Sequence, residues 1–352
     1  MAATPEPSRR ARRGHGRPTL HDVAGVAGVT RITVSRFLRE PEVVAEPTAT
    51  RIREAIAQTG YVPNRQAGQL ASARSQIVAA LIPNVGHSIF AETIQGLSEG
   101  LRGSGLELLL ASTGYSMERE EAQLRALLGW APAALIVTGR QHTPGASRLL
   151  RGAQSAGTPV VEIWDHHAGG DEGFAQIGFD HDAVGRAMAL HLLERGHRSL
   201  VYVDSGVAED FRAHERGEGF AAEARSAGAR VKTVRAATGN PFDAGRRAFE
   251  TLGTARCSAI AFANDQLACG ALMAAHARGV RVPQDLALLG FGDFPIGAHL
   301  QPALSTVRPP RDEIGRAAAA AVLEAVASGA PVQARALPWE LIARESTSAS
   351  KD

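Results

Sequence analysis

The side chains with the clearest chemistry in this chain sit close together near its start. Thr30, Arg31, Ile32, Ser35 and Arg36 share the outer face of a helix expected from Arg31 onward. The face is short and polar and carries two guanidinium groups, which suit phosphate oxygens and guanine edges in a major groove. Three other groupings could do chemistry. Gly86-His87-Ser88 follows an apolar run and partly fits a nucleophile elbow, but Phe90 occupies the fifth position, where that turn needs a small residue. Asp165-His166-His167 contains metal-binding residue types, yet no second cluster of ligand spacing accompanies it. Asp165 itself follows the buried run VVEIW. It reads either as an acceptor for a ligand hydroxyl or as a helix cap. No catalytic constellation is complete, so neither enzyme, metal nor cofactor is expected.

The elements that must hold the outer face of residues 30–36 read as a helix-turn-helix over residues 19–39, TLHDVAGVAGVTRITVSRFLR. Thr19 begins a first helix, with Asp22 in its first turn. Val23, Val26 and Ala27 form an apolar stripe at i, i+3, i+4. Gly28 supplies a positive φ for the turn, and Thr30 caps the second helix, whose Thr33, Val34 and Phe37 are expected to face inward. A third helix carries Pro47 early, buries Ile52, Ala55 and Ile56, and ends at Gly60. The competing reading is an ordinary helical hairpin in a globular core.

Charge placement supports the first reading. Residues 1–74 contain twelve arginines, no lysine and six acids, a net +6, against +2 for all 352 residues. A basic first fifth on an acidic body suits a DNA-facing end. Residues 1–17, rich in Arg, Pro and Gly, are expected to be a disordered basic tail. Apolar residues at 44 % and charged residues at 21 % describe a soluble globular chain. No 18-residue apolar run and no apolar stretch after the basic N-terminus occur, so neither a membrane span nor a secretory signal is expected. Two cysteines, Cys257 and Cys269, fit a reducing cytoplasm rather than a disulfide framework.

From Gln76 the pattern changes. Strands are expected at 77–82, 106–111, 134–137, 160–163, 200–203, 259–262 and 286–289. Helical stretches such as 90–102, 119–128, 182–195, 220–227 and 266–278 lie between them. This alternation implies parallel sheets covered by helices, with ligands at the C-terminal ends of the strands.

The helix-turn-helix, the third helix and YVPNRQAGQLAS (residues 61–72) resemble the headpiece and hinge of the lactose-repressor (LacI) family. LIPNVGHSIFAETIQGL, ERGEGF, AFANDQLACGAL and QPALSTVRPPRDEIGRAA extend the resemblance over most of the chain. It implies an N-terminal all-α headpiece plus an α/β core of two parallel-sheet subdomains, similar to periplasmic sugar-binding proteins. The headpiece would be 18–62, the hinge 63–75 and the core 76–345, followed by a tail at 346–352. The halves would comprise 76–176 with 307–338 and 177–306 with 339–345, the chain crossing near 176, 306 and 338.

The resemblance also implies roles. Thr19, Thr30, Arg31, Ile32, Ser35 and Arg36 would contact operator DNA, as would Asn64, Ala67 and Leu70 of the hinge. Leu70 would wedge a minor-groove step; its alternative is a linker leucine packed on its own domain. Phe90, Asp165, Arg216 and Asp265 would bind the effector. Against these stand a core aromatic for Phe90, a surface helix residue for Arg216 and a first-turn acid for Asp265. TGYSMEREE, PVVEIWD and GFGDFPIG are similar to the gluconate-operon repressors of the family. The expectation is therefore a cytoplasmic homodimer, nucleoid-associated when bound to double-stranded operator DNA. It would repress carbohydrate catabolism under control of a sugar acid, gluconate or its 6-phosphate first. The alternatives are a transport-type sugar receptor without a DNA role, and a regulator of neutral-sugar or purine response.

Overall fold

The computed structural model describes residues 18–63, 75–86, 89–167, 173–253 and 257–348. They fall into two compact units, one within residues 1–74 and one within 75–352.

The first unit is a three-helix cluster. Helix α1 (Leu20–Ala27) starts where the Thr19 N–H and hydroxyl both donate to Asp22 Oδ2 at 2.7 Å. Gly28 turns the chain at φ +63°, a left-handed conformation that costs other residues a Cβ clash. Helix α2 (Arg31–Arg39) is capped by Thr30, whose hydroxyl accepts the Thr33 N–H at 3.2 Å. Helix α3 (Glu46–Thr59) carries Pro47 in its first turn and ends at Gly60. Val23, Ala24, Ala27, Val34, Phe37, Ala49, Ile52 and Ala55 form the core with Tyr61. Two expectations need correction. Val26 is 49 % exposed and Ala24 is buried in its stead, because α1 turns its 20/23/24/27 side to α3. Ile56 and Thr33 are half-buried rather than core.

The second unit holds two six-stranded sheets. The first has β1 (Ile77–Ile82), β2 (Glu107–Ser112), β3 (Ala134–Thr138), β4 (Val160–Ile163), β5 (Ala175–Gly178) and β11 (Arg335–Ala336), in the order β11-β5-β4-β3-β1-β2. The second has β6 (Ser199–Asp204), β7 (Arg230–Arg235), β8 (Ala259–Phe262), β9 (Ala287–Phe291), β10 (Ser305–Arg308) and β12 (Glu340–Ile342), in the order β12-β10-β9-β8-β6-β7. All pairings are parallel except β10 with β12. The central strands β3 and β8 are buried throughout, as apolar runs between two helical layers must be. The edge strand β7, RVKTVR, carries two apolar residues three apart, so it does not stand out as an apolar run.

The covering helices begin with α4 (Ala91–Gly100), α5 (Met117–Leu128), α6 (Pro144–Ser155) and α7 (His181–Glu194). There follow α8 (Phe211–Ser226), α9 (Pro241–Leu252), α10 (Asp265–Ala277), α11 (Pro295–His299) and α12 (Arg311–Ser328).

The chain crosses between halves after Gly178, after Arg308 and between Ala336 and Glu340. The crossings placed near 176 and 306 thus come late by two residues, since β5 and β10 complete their own sheets first. Residues 346 and 347 are not a free tail. Ser346 Oγ donates to the Leu288 carbonyl at 2.6 Å, and Thr347 Oγ1 meets His191 Nε2 at 2.8 Å, both residues being buried. A short polar stretch satisfied inside a core is invisible to hydropathy.

One buried polar chain ties the first half together. His142, after β3, places Nδ1 2.5 Å from Glu120 Oε1 on α5 and Nε2 3.2 Å from Glu162 Oε1 on β4. Gln176 on β5 donates to Glu162 Oε2 at 2.8 Å. Burial by itself would lower the imidazole pKa, but the hydrogen bonds and charges of the two glutamates outweigh it and raise it to about 9. This stabilisation is present in full below the unfolded pKa of about 6.5 and fades as pH rises through about 9. Replacing His142 with Phe leaves two carboxylates buried and unpaired, and should cost about 3–5 kcal/mol. Denaturant unfolding checks both outcomes: wild-type stability should fall between pH 7 and 9, and the His142→Phe variant should lack that fall.

Candidate functional site

On α2, Thr30, Arg31, Ile32 and Arg36 are exposed and Ser35 is half-buried. Ile32 is 72 % exposed, so an aliphatic side chain stands in solvent between two arginines. Among the described residues, neither Arg31 nor Arg36 is held in an ion pair. Thr19 spends its hydroxyl on Asp22. Asn64, Ala67 and Leu70 lie outside the described residues, as do His87 and Ser88 of the elbow-like motif.

In the second unit a cleft of about 640 Å³ opens where the strands of both sheets end. Loops after β1, β2 and β4 provide Phe90, Tyr115 and Trp164, and loops after β6, β8 and β9 provide Asp210, Asn264 and Phe294. Phe90 meets Trp164 edge to face at 5.0 Å. Trp164 (φ +71°) and Tyr115 (φ +62°) both hold left-handed backbone, strain that concentrates at functional positions.

Helix α8 provides the charge. Arg216 and Arg212 lie one turn apart and both line the cleft. Arg216 is 4 % exposed. Its Nη1 donates to His181 Nδ1 at 2.9 Å and its Nη2 to the Ala263 carbonyl at 3.0 Å. The guanidinium stacks 3.8 Å from the Phe291 ring centre. Every one of these partners is neutral, and the buried Nε–H has no hydrogen-bond partner among the described residues. His181 Nε2 in turn donates to the Trp164 carbonyl at 2.8 Å, which fixes the neutral tautomer. Burial first, then the charges of Arg216 and Arg212, hold its pKa well below the usual imidazole value. His181 and Arg212 escaped the sequence reading. Arg212 was findable, since a residue four before Arg216 shares its helix face; the role of His181 depends on a contact across 35 residues.

Glycine lets α8 and α7 approach closely enough for this arrangement. A Cβ on Gly185 would collide with the Arg216 carbonyl, and one on Gly219 with the Asp182 carbonyl.

The two acids expected at the effector fare differently. Asp165 is buried beside the cleft in a small adjoining compartment, 3.8 Å from Arg140 Nε and 3.9 Å from Arg212 Nη1. Burial, opposed by Arg212 and reinforced by Glu215, raises its pKa to about 6. Asp265 does not line the cleft. Its Oδ1 accepts the Thr306 hydroxyl at 2.6 Å and its Oδ2 the Phe294 N–H at 2.8 Å. It ties α10 to β10 and to the start of α11, and its neighbours Asn264 and Gln266 line the cleft. Among the described residues no group of three His, Cys, Asp or Glu could hold a metal ion. No helix among them is long and apolar enough to cross a membrane.

Comparison with known proteins fits this layout. Residues 19–64 match the family described as bacterial regulatory proteins, lacI family, and residues 189–347 match a periplasmic binding protein-like domain. The chain is 40 % identical over 338 residues to the HTH-type transcriptional regulator GntR of Pseudomonas aeruginosa, covering 94 % of this chain and 96 % of that one. It is 34 % identical to GntR of Escherichia coli K12, covering 85 % and 89 %. A LacI-family transcriptional regulator from Silicibacter pomeroyi superimposes with a TM-score of 0.87 at 30 % identity, over 94 % of this chain and all of that one.

The close contact of α7 and α8 carries a prediction. Gly185→Ala should destabilise the protein by about 1–3 kcal/mol through overpacking, and should displace Arg216 with the backbone it clashes with. Denaturant unfolding gives the first, and a crystal structure of the variant the second.

Proposed function

Since the chain belongs to the lacI family of bacterial regulatory proteins, we propose that it is an effector-controlled repressor of carbohydrate catabolism whose cleft takes a sugar acid, gluconate first. The observation that carries this reading is the charge on Arg216. A guanidinium buried among neutral partners, with one N–H unbonded, bears a desolvation cost that an anionic ligand offsets. A carboxylate satisfies it through charge-assisted hydrogen bonds. Arg212, stacked 5.8 Å from the Phe90 ring centre, stands one turn away to share the charge. The aromatic rings provide flat apolar walls, while Asn264, Gln266 and Ser205 offer donors and acceptors for hydroxyls. Asp165 reaches a ligand only from the adjoining compartment.

On the DNA side, Thr30, Arg31, Ile32 and Arg36 read base edges in the major groove, and two headpieces of a homodimer meet a near-palindromic operator. Effector binding biases the core between DNA-competent and incompetent forms, because the ligand contacts both halves.

Two experiments test these assignments. Calorimetric titration with gluconate, 6-phosphogluconate, a neutral hexose and a purine should give heat with the acids, and Arg216→Gln should abolish it. Heat from the hexose or the purine alone would overturn the sugar-acid reading and leave the regulator reading intact. Arg36→Ala should weaken operator binding by about 1–3 kcal/mol and reduce discrimination against scrambled DNA at fixed salt. Equal losses on both DNAs would move Arg36 to phosphate contact.

A further inference from the structure

The crossing strands define a hinge side of the second unit. Strands β5 and β11 occupy one edge of the first sheet, and β10 and β12 one edge of the second. The opposite side, where β2 and β7 are the edges, has no covalent link between the halves, yet two charged contacts join the halves away from the crossings. Glu209, in the loop after β6, accepts the Met117 N–H at 2.6 Å through Oε2. Met117 is the first residue of α5, and Ser116 caps the same helix by accepting the Arg119 N–H. Glu209 therefore places a carboxylate from the second half on the positive end of a helix in the first. Arg140, after β3, pairs with Glu215 of α8 at 2.7 Å. Both members are partly shielded, at 32 % and 21 % side-chain exposure, so solvent screening is incomplete. Asp165 and Arg212 flank the pair, and they too come from opposite halves.

We propose that Glu209 and Glu215 form a latch that holds the mouth of the cleft shut. Each acid neutralises a positive group of the other half, and opening the cleft about the hinge side separates both pairs at once. The latch works whichever effector the cleft takes. Its position also links it to the effector arginine, because Glu215 and Arg216 are adjacent on α8. A ligand that shifts this turn of α8 perturbs the Arg140 contact directly.

The test is small-angle X-ray scattering of the full-length, ligand-free protein as wild type, Glu209→Gln, Arg140→Gln, Glu215→Gln and the Arg140→Gln/Glu215→Gln double variant. The latch requires an upward shift in the radius of gyration for Glu209→Gln and for each member of the ion pair. The double variant should shift no further than its single parents, since removing either partner already breaks the pair. Raising the salt concentration should open wild type more than the double variant, which keeps the Glu209 contact alone. Wild-type scattering in all four variants overturns the latch, as does a double variant whose shift is the sum of the singles. Circular dichroism identifies any variant that fails to fold. The altered residues lie on three separate segments of the chain, so the remaining variants still decide the matter.

Discussion

A buried guanidinium without a counter-charge among the described residues is the feature on which the second unit depends. Arg216 is held by an imidazole nitrogen, a carbonyl and an aromatic face, which orient it but do not neutralise it. A buried unpaired charge is normally costly enough to be removed by titration or by rearrangement. Arginine cannot escape by losing its proton, and the rearrangement is blocked by the close packing of α7 against α8. The charge is therefore preorganised, with its cost already met by the fold.

His181 extends this constraint to the hinge. It opens α7 just after the first crossing, accepts from Arg216 and donates to the Trp164 carbonyl of the other half. Its two ring nitrogens thus connect the charged group of the cleft to the strand end where Trp164 holds a strained backbone. An anion on Arg216 alters the field at a neutral imidazole shared by both halves. That is a short physical route from occupancy of the cleft to the geometry of the crossing. Asp265, by contrast, serves the second half alone, joining α10, β10 and the start of α11 through Thr306 and Phe294.

The headpiece is organised on another principle. Its nine core residues are aliphatic apart from Phe37 and Tyr61, and its helix ends rely on local capping at Thr19, Thr30 and Gly60. With the interior and the ends satisfied within 46 residues, the outer face of α2 is free to carry Arg31, Ile32 and Arg36 without structural duty.

What the sequence by itself determined was therefore most of what depends on short range, Val26 being the exception. Caps, turn glycines and helical periodicity fix the headpiece and the exposure of Arg31 and Arg36. Apolar runs mark seven of the twelve strands, because a strand buried on both faces is apolar throughout. Resemblance carried Arg216 to the cleft, where the structure also places it. The edge strand β7, with two valines three apart, and the clasped residues Ser346 and Thr347 did not stand out, since their placement depends on partners far along the chain. The same reason separates the two acids. Asp165 and Asp265 both follow a buried strand, and nothing local distinguishes them. Only the tertiary structure decided that Asp165 sits by the cleft while Thr306 and Phe294 occupy both oxygens of Asp265. A carboxylate takes whichever donors the fold brings to it, and those donors come from distant segments.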